Sequence, residues 1–564
     1  MRCRLFILIL VVQYIALSSL SFGGTGDDKL RKIVREYGQA EVVIQRPDPG
    51  TVDYLTRNVS IRSVDDKSMR IILSPATVEW FISSGFSYLL VVPSPVKGIA
   101  SASSMRKAME WDSYPTYRQY DSIMRFFARE YPSICMLDTI GTTLEGRLVM
   151  ALKISDNCRM TEDEPKVFLS SSMHGDETGG FILMLRLADY LLGNYDSDAR
   201  TKYLVDNIEL WINPLANPDG TYVNGEEIYM PVRGNAAGVD LNRNFPDPEL
   251  KGTVRQKETL DMMKFMSEHR FVLSANFHSG AELVNYPWDK WPRDHADKQW
   301  FYNLCRAYAD TVHFYSPADY MTYLDNGVTN GYRWYPVYGS RQDYVTLELG
   351  GREVTIEIDD NFITPVYELQ QLWDNNRQSL LNFIESALYG IHGLAVDAEN
   401  GDPVPVRVIA ERHEKDRSEV YADSITGRFI RLISPGTWNL VLSADGYRDT
   451  TVSDVRVIEY EKTDLLVRMK RIIDSIDTQE IRQPLMYPNP GGEFVKAVLP
   501  AGIAGSINVQ IFSAGGALLS DYNDYYTEGT PLILNINKLR RGIYIVRFTL
   551  KSNGTSYSAR FILN

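Results

Sequence analysis

The sequence predicts an α/β fold for its central part, with a mostly parallel mixed sheet flanked by helices. From about residue 111 to 388, strand-like and helix-like segments alternate, as in Leu148–Ile154 and the later helical pattern over 180–192. On either side the pattern changes. A small α+β unit is predicted before this part, and two small β-sandwich domains are predicted after it.

The overall composition is that of a large globular protein. The chain has 564 residues, of which 44% are hydrophobic and 23% are charged. These proportions exclude a mainly disordered, collagen-like or many-spanning membrane protein. The formal net charge of −13 argues against nucleic acid as the main partner, because phosphate binding needs a basic surface.

Residues 1–24 have the pattern of a secretory signal peptide. Arg2 and Arg4 precede an apolar run over 5–17, and small residues follow it. The run is shorter than the roughly 20 residues that a membrane-spanning helix needs, and no later stretch of the sequence is predicted to span a membrane. Three cysteines remain after the signal peptide, so at least one thiol is expected to be unpaired.

The unit at 25–108 is predicted to combine strands at 39–45 and 87–92 with a helix at 76–83. A linker rich in Ser and Lys follows it at 95–107. These segments are consistent with a small α+β domain that precedes the central part.

Two β-rich units follow the central part. Residues 391–470 hold short β-rich runs broken by the turn signals GDP, TGR, PGT and DGY, which is typical of a small β-sandwich. A polar connector near 472–484 leads to a second β-rich unit at 485–564.

The segment SSSMHGDETGG (170–180) places His174 and Glu177 three residues apart, after a predicted strand and before a predicted helix. A loop at that position can direct both side chains to one point. A catalytic zinc site takes three protein ligands and leaves a fourth position for water. His278, at the end of the apolar strand 271–277, is the candidate third ligand. Taken alone, the pair His174 and Glu177 is a weak signal, and a helix-start glutamate near a surface histidine is the better reading.

Two further segments carry charged side chains. The run RGNAAGVDLNRNFPD (233–247) mixes arginine and asparagine with small residues, which suits capture of a carboxylate, although on its own a polar loop is the better reading. In EVTIEI (353–358), Glu357 lies on the strand face opposite to Val354 and Ile356. A carboxylate there is either a solvated edge residue or a buried functional acid.

Four segments in this order resemble zinc metallocarboxypeptidases, specifically the subfamily of carboxypeptidases N, E, M and D. The segments are HGDE, RGNAAGVDLNRNFPD, NFHSGAELVNYPWD, and NGYRWYPVYGSRQD followed by EVTIEI. The resemblance covers about residues 111–388, and residues 391–470 resemble the transthyretin-like domain that follows in that subfamily. It implies an enzyme with one zinc ion that hydrolyses the last peptide bond of peptides and proteins with a free C-terminus.

The resemblance implies a metal centre and a general base. It assigns His174, Glu177 and His278 to zinc, and Asp240 to the carboxylate that orients the first histidine. It assigns Glu357 to the base that takes a proton from water and passes it to the leaving amine. Inactive relatives typically lose a zinc ligand or this glutamate, and the chain retains all of them.

The same resemblance assigns residues to the substrate. Asn242 and Arg243 correspond to the pair that binds the terminal carboxylate, which makes such an enzyme an exopeptidase. Arg233 corresponds to the arginine that polarises the scissile carbonyl and stabilises the developing oxyanion. Arg147, in LEGR, is either an outer-subsite residue or a plain surface arginine.

Asp289 is the candidate specificity residue. It lies eleven residues after His278, where an acidic side chain of this subfamily meets a C-terminal Lys or Arg. The resemblance therefore implies release of a basic residue. In the alternative reading, Asp289 pairs with Lys290 or Arg293 at the surface, and the same chemistry acts on apolar or cell-wall peptide termini.

The chain departs from the subfamily at one place. A substrate-capping tyrosine usually lies two positions beyond an aromatic residue, but here Tyr344 is the aromatic and Thr346 occupies the tyrosine position. Tyr344 is the named candidate for the capping role. Tyr335 and Tyr338 are alternatives, as is the absence of any capping tyrosine.

The sequence also predicts roles for the units before and after the central part. Residues 25–108 stand where many such enzymes have a propeptide, and both a propeptide and an accessory domain stay open. The tail at 485–564 resembles the C-terminal sorting domain of type IX secretion through YPNP, IFSAGGAL and GIYIVR. This implies a secreted or bacterial cell-surface protein; the other reading of the tail is a β-sandwich binding module. The competing function for the whole chain is a catalytically inactive surface binding module.

Overall fold

The computed structural model describes residues 26–94, 99–250, 252–472 and 483–564. The expected signal peptide at 1–24 lies outside these ranges. Across the described ranges, no helix is both long and apolar enough to cross a membrane. The cysteines within them carry free, buried thiols. The structure divides into two compact units, with the boundary after Arg471.

The chain begins with a small α+β unit, residues 26–94. Its elements are α1 (Gly26–Tyr37), β1 (Ala40–Gln45), α2 (Pro49–Thr56), β2 (Ser60–Val64), β3 (Ser68–Leu73), α3 (Val78–Ser83) and β4 (Leu89–Val91). The strands form an antiparallel sheet of order β2-β3-β1-β4, so β2 lies at an edge. Val42 and Ile44 alternate along β1 and are buried with Leu30 and Val34 of α1 in one core.

The central part holds an eight-stranded mixed sheet. Its strands are β5 (Cys135–Thr142), β6 (Leu148–Ile154), β7 (Lys166–Ser171), β8 (Glu209–Asn213), β9 (Leu273–His278), β10 (Ala281–Tyr286), β11 (Val328–Asn330) and β12 (Arg352–Asp359). The strand order is β11-β10-β12-β9-β7-β8-β6-β5. The pairs β7/β8, β7/β9, β9/β12 and β10/β11 are parallel, and the others are antiparallel. This confirms the predicted α/β fold with a mostly parallel mixed sheet.

Helices bury both faces of this sheet. They are α4 (Met105–Ala108), α5 (Tyr117–Glu130), α6 (Gly179–Asn194), α7 (Ala199–Val205), α8 (Pro218–Thr221), α9 (Lys257–His269), α10 (Lys298–Tyr315), α11 (Tyr323–Gly327), α12 (Gly331–Trp334), α13 (Arg341–Tyr344) and α14 (Leu369–Glu385). On β7, Val167 and Leu169 share a core with α6 and α14. Phe168, between them, packs against Phe265 of α9 on the opposite face.

The sheet brings the candidate residues together at one edge. Strands β7 and β9 run parallel, so the loop after β7 and His278 at the end of β9 meet at their carboxyl ends. Strand β12 lies parallel beside β9, and its register pairs Glu357 with His278. Residues from widely separated segments therefore lie at neighbouring strand ends.

A β-sandwich follows the central domain within the same unit. Its strands are β13 (Gly390–Asp397), β14 (Arg407–Ala410), β15 (Val420–Tyr421), β16 (Arg428–Arg431), β17 (Gly436–Ser443), β18 (Thr450–Val457) and β19 (Lys462–Met469). They form the sheets β16-β13-β19 and β15-β14-β17-β18. Inward-facing side chains such as Ile391, Leu440 and Leu442 fill the space between the sheets.

The second compact unit is a separate pair of sheets. Its strands are β20 (Leu485–Tyr487), β21 (Lys496–Val498), β22 (Gly505–Ser513), β23 (Leu518–Tyr526), β24 (Leu532–Ile533), β25 (Gly542–Leu550) and β26 (Ser556–Leu563). They form the sheets β20-β21-β24 and β23-β22-β25-β26 around one core. The two β-sandwich units predicted after the central part are thus confirmed.

A buried charge cluster joins the central domain to the first β-sandwich. Asp297, just before α10, accepts hydrogen bonds from Arg352 Nη2 at 2.6 Å and Arg431 Nη1 at 2.8 Å. His413 Nε2 lies 2.8 Å from its other oxygen. Burial raises the pKa of Asp297, but the two arginines outweigh burial and hold this pKa well below the usual range. The carboxylate is therefore charged at neutral pH.

Replacing Asp297 by Asn is expected to lower the free energy of unfolding by about 3–5 kcal/mol, because two guanidinium groups would stay buried without their carboxylate. Urea denaturation followed by tryptophan fluorescence measures the change. Asp416→Asn is the control, since its partner Arg293 is 49% exposed and such pairs contribute at most about 1 kcal/mol. Equal effects of the two substitutions would contradict a stabilising role for the cluster.

Candidate active site

Three side chains meet at the carboxyl edge of the sheet. His174 Nδ1 and His278 Nδ1 are 3.0 Å apart. The carboxylate of Glu177 bridges them, with Oε1 at 2.9 Å from His174 Nδ1 and Oε2 at 2.7 Å from His278 Nδ1. All three residues are at least 95% buried. Three donor atoms that converge in this way can hold one metal ion.

The loop that carries His174 and Glu177 is fixed by close backbone packing. A Cβ on Gly175 would lie 2.3 Å from the backbone carbon of Gly220, so only glycine fits there. Ser172 Oγ donates a hydrogen bond to the backbone oxygen of Glu177 at 2.7 Å. These contacts turn the chain sharply between β7 and α6 and direct both side chains to His278.

Each histidine is oriented through its second ring nitrogen. His174 Nε2 lies 3.0 Å from Asp240 Oδ1, so its Nδ1 is free to bind a metal. His278 Nε2 lies 2.7 Å from the side-chain amide of Asn276, whose buried Oδ1 has no partner among the described residues. Rotating that amide by a half turn makes Oδ1 the acceptor for His278 Nε2–H, which leaves Nδ1 for the metal.

The chemistry of this donor set fits zinc. Two imidazole nitrogens and one carboxylate form a usual ligand set of catalytic zinc, with one position left for water. Burial lowers the pKa of His278 to about 4, so this imidazole is neutral at pH 7, as a metal ligand must be. The sequence-based assignment of His174, Glu177 and His278 to one metal is therefore consistent with the geometry.

Arg233 links the metal ligands to Asp240. Its Nε donates to Asp240 Oδ2 at 3.0 Å, and its Nη1 donates to Glu177 Oε1 at 2.9 Å. Burial raises the pKa of Asp240, but the positive charges of Arg233 and His174 outweigh burial and hold this pKa well below the usual range. Asp240 is thus an anion that holds both side chains in place.

Asn242 and Arg243 lie on a short 3-10 turn, Leu241–Arg243, that Asp240 caps through a 2.9 Å bond from the backbone N–H of Asn242. Arg243 Nη1 donates to the backbone oxygen of Asn242 at 3.0 Å. Its Nε and Nη2 are buried and have no hydrogen-bond partner in the described structure. Such unpaired guanidinium donors suit a carboxylate ligand.

Glu357 lines the same cavity as the metal ligands. Burial, and then the negative charge of Glu177, raises the pKa of Glu357 well above its usual range, while Arg233 opposes this. A raised pKa makes a carboxylate a stronger proton acceptor, which suits a general base. The sequence left open whether Glu357 is a solvated edge residue, and the structure places it inside the cavity.

Asp289 also lines this cavity and is 6% exposed. Burial raises the pKa of Asp289 to about 6. Gln342 Nε2 donates to Asp289 Oδ1 at 2.8 Å, and Gln342 Oε1 is buried without a partner in the described structure. Lys290 pairs instead with Asp247, so it does not neutralise Asp289 directly.

Comparison with known proteins agrees with this geometry. Residues 120–379 match a family model described as zinc carboxypeptidase, and residues 485–564 match one described as a secretion system C-terminal sorting domain. Carboxypeptidase SOL1 of Arabidopsis thaliana is 33% identical over 355 residues, which cover 60% of this chain and 69% of that protein. The chain belongs to the zinc carboxypeptidase family.

Further relatives belong to the same family. The carboxypeptidase N catalytic chain of Homo sapiens is 30% identical over 407 residues, which cover 64% of this chain and 87% of that protein. Human carboxypeptidase D is 32% identical, but this chain spans only 27% of its length. The crystal structure of carboxypeptidase A from Helicoverpa armigera covers 62% of this chain and 97% of its own at 18% identity, with a TM-score of 0.48. The sorting domain indicates a secreted or cell-surface protein.

Two predicted substrate residues of this carboxypeptidase lie outside the cavity. Tyr344 is 6% exposed and packs against Phe245 in a hydrophobic core, because its apolar ring is buried where α13 meets the sheet. The prediction that Tyr344 caps the substrate is therefore wrong, because its ring is part of a hydrophobic core. Tyr335 lines the cavity instead, while the hydroxyl of Tyr338 binds Asp53.

Arg147 is the second of these residues. Its Nη1 donates to Asp219 Oδ1 at 2.8 Å, and its Nη2 donates to the backbone oxygen of Tyr222 at 3.1 Å. The guanidinium therefore ties two loops together and does not line the cavity. These bonds give Arg147 a structural role, and its role as an outer-subsite residue stays a prediction.

Further residues at or beside the cavity were given no role from the sequence. Gln342 and Asn285 lie beside Asp289, and the Gln342 amide bonds both of them. Ile61 and Arg62 reach the cavity from the N-terminal α+β unit. The hydrogen bond between Gln342 and Asp289 joins residues more than 50 positions apart, so no local sequence pattern predicts it.

Asp240→Asn is expected to weaken zinc binding by about 10–100-fold, because the histidine it orients would lose its charged partner. Competition with a colorimetric chelator measures the affinity. Asp196→Asn, an exposed carboxylate of the same chain, is the control and should leave the affinity unchanged. Unchanged zinc affinity in Asp240→Asn would contradict the orienting role.

Proposed function

We propose that this protein is a secreted zinc carboxypeptidase that releases a C-terminal Lys or Arg from peptides and proteins. The observation that carries the proposal is the position of Asp289, whose buried carboxylate lines the same cavity as Arg243 and the metal ligands. Arg243 suits the terminal carboxylate of a substrate, and Asp289 suits a basic side chain. A C-terminal basic residue carries both charges.

The alternative partners of Asp289 are occupied elsewhere. Lys290 Nζ lies 3.3 Å from Asp247 Oδ1, and Arg293 forms a 2.9 Å ion pair with Asp416. Asp289 is left with neutral partners, chiefly Gln342. The Asp289 carboxylate is therefore an acceptor available to an ammonium or guanidinium group in the cavity.

The side chains then divide the reaction among themselves. Zinc, when bound by the two histidines and Glu177, polarises the scissile carbonyl and lowers the pKa of water. Arg243 and Asn242 bind the terminal carboxylate, so that only the last peptide bond reaches the metal ligands. Arg233 stabilises negative charge on the carbonyl oxygen. Glu357 takes a proton from the attacking water and gives it to the leaving amine.

The remaining segments fit this proposal. Residues 111–388 form the catalytic domain, and residues 391–470 serve as a transthyretin-like scaffold attached through Asp297. Residues 485–564 direct export or attachment at the outer surface, after removal of the signal peptide at 1–24. The substrates are peptides or proteins with a free C-terminus.

Mass spectrometry of five peptides tests the proposal. The peptides are identical except for a C-terminal Lys, Arg, Leu, Phe or Glu, and they are incubated with the zinc-loaded protein. Release of Lys and Arg alone is expected. Release of Leu or Phe at rates equal to those of Lys and Arg would show that Asp289 does not set the specificity.

A further inference from the structure

A fully buried arginine, Arg341, begins the short helix α13. Its Nε donates to Glu353 Oε1 at 2.9 Å, and its Nη2 donates to the backbone oxygen of Ala275 at 3.2 Å. Glu353 is buried on β12, and its Oε2 accepts a 2.7 Å hydrogen bond from Ser274 Oγ on β9. The guanidinium group therefore ties α13 to two strands of the central sheet.

These two strands carry residues assigned to the reaction. Strand β9 ends at His278, a candidate metal ligand, and β12 carries Glu357, the candidate base. A guanidinium group has a rigid, planar set of donors, so its bonds to both strands fix the position of α13 against them. The side chains of Arg341 and Glu353 are both 0% exposed, and loss of one would leave the charge of the other without its partner.

The first residue of α13 also contacts the candidate site for the terminal carboxylate. The backbone N–H of Arg341 donates to Asn242 Oδ1 at 3.0 Å. This bond uses the oxygen of the Asn242 amide, so the Nδ2 donors are the part of the side chain that can bind a carboxylate. Asn242 lines the cavity together with Arg243. The position of α13 therefore determines how the Asn242 amide meets a substrate.

The next two residues of α13 hold the candidate specificity residue. Gln342 Nε2 donates to Asp289 Oδ1 at 2.8 Å. The carboxylate of Asp343 accepts the backbone N–H groups of Asp289 and Lys290 at 2.9 and 3.1 Å. Helix α13 thus contacts the residue that suits a terminal carboxylate and the residue that suits a basic side chain. A shift of this helix would displace both residues together.

We propose that Arg341 is a positioning residue, which holds α13 so that Asn242 and Asp289 meet the carboxylate and the basic side chain of one terminal residue. The proposal rests on the proposed function and deepens it. Arg341 acts through α13 and needs no contact with the substrate. Contacts to the terminal residue are equally strong before and during bond cleavage, so their misplacement raises KM and leaves kcat nearly unchanged.

The test compares the zinc-loaded full chain with Arg341→Met, which keeps an unbranched side chain but loses the bonds to both strands. We expect KM for a peptide ending in Arg to rise about tenfold or more with kcat changed by less than about twofold, because a misplacement of about 1 Å can cost about 10²-fold. KM for a peptide ending in Leu should rise less, since that residue does not use Asp289. The backbone amides of Asp289 and Lys290 should exchange hydrogen faster, because Asp343 no longer holds them in place.

Lys153→Met is the matched control. Lys153 Nζ lies 2.8 Å from Glu209 Oε2, and the two side chains are 5% and 4% exposed, so this is also a buried ion pair. It joins β6 to β8, and neither residue lines the cavity. This substitution should lower the melting temperature, as Arg341→Met does, but leave KM and the exchange at Asp289 unchanged.

Hydrogen exchange needs no substrate, so it separates the positioning role from the proposed function. Faster exchange in Arg341→Met, with no cleavage of any peptide by the parent, would support the positioning role and count against the carboxypeptidase function. A parental KM in Arg341→Met would overturn the positioning role and keep the function. Equal increases of KM in Arg341→Met and Lys153→Met would overturn it too, because only general stability would have changed. If Arg341→Met does not fold, the double variant with Glu353→Gln, which removes both charges, replaces it.

Discussion

Replacing Glu357 by Gln is expected to lower kcat by about 10²–10⁴-fold, which is the usual contribution of a positioned general base. The amide keeps the shape of the side chain but cannot take a proton from water. Zinc content should stay at the parental level, because Glu357 is not one of the three converging metal ligands. Steady-state kinetics on a peptide ending in Arg and metal analysis measure the two effects.

Glu282→Gln is the matched control for this substitution. Glu282 lies on the neighbouring strand β10, and burial raises its pKa to about 7, but it does not line the cavity. Its substitution should leave kcat unchanged. If Glu357→Gln hydrolysed the peptide as fast as the parent, the assignment of the base would be wrong.

Asp289→Asn is expected to lower kcat/KM for peptides ending in Lys or Arg by about 10²-fold, with a much smaller change for a peptide ending in Leu. Removing one partner of a buried, hydrogen-bonded charge pair costs about 2–5 kcal/mol, which supports this magnitude. The substitution keeps an oxygen for the bond from Gln342, so the pocket should fold as before. Competition between the Arg and Leu peptides in one mixture measures the preference.

The preference should also depend on pH. The pKa of Asp289 is raised to about 6 by burial, so the carboxylate that attracts a cation is present above pH 6. Its protonation removes that attraction as the pH falls through 6. The ratio of kcat/KM for Arg over Leu should therefore fall below pH 6 in the parent and stay flat in Asp289→Asn.

Asp294→Asn controls for a general loss of negative charge near the pocket. Asp294 lies five residues after Asp289 but pairs with Lys298 at 2.9 Å, away from the cavity. The preference for Arg over Leu should survive in this variant. An unchanged preference in Asp289→Asn would instead show that Asp289 does not meet the substrate.

The sequence predicted a site residue correctly where the strand or helix pattern of the same short segment also shows where that residue lies in the sheet. His174 and Glu177 follow a strand and precede a helix, and His278 ends an apolar strand, so the parallel sheet brings them to one edge. Glu357 was placed by its alternation along β12, and the register with His278 then put it at the site.

The rest depends on contacts between distant segments. Tyr344 is the aromatic residue of the motif, but its ring packs on Phe245, about 100 residues earlier, and Tyr335 lines the cavity. Arg62 and Asp176 are 114 residues apart, so their ion pair has no local pattern. Tertiary packing determines which side chains of distant segments come into contact, and neither composition nor motif spacing predicts these contacts.

The central claim is that zinc and a free C-terminus are both required for release of a terminal basic residue. The most direct test incubates the zinc-loaded and the zinc-stripped protein with a peptide ending in Arg and with the same peptide amidated at its C-terminus. Our account predicts release of Arg only from the free peptide and only with zinc. Equal release from the amidated peptide, cleavage at internal bonds, or full activity without zinc would contradict it.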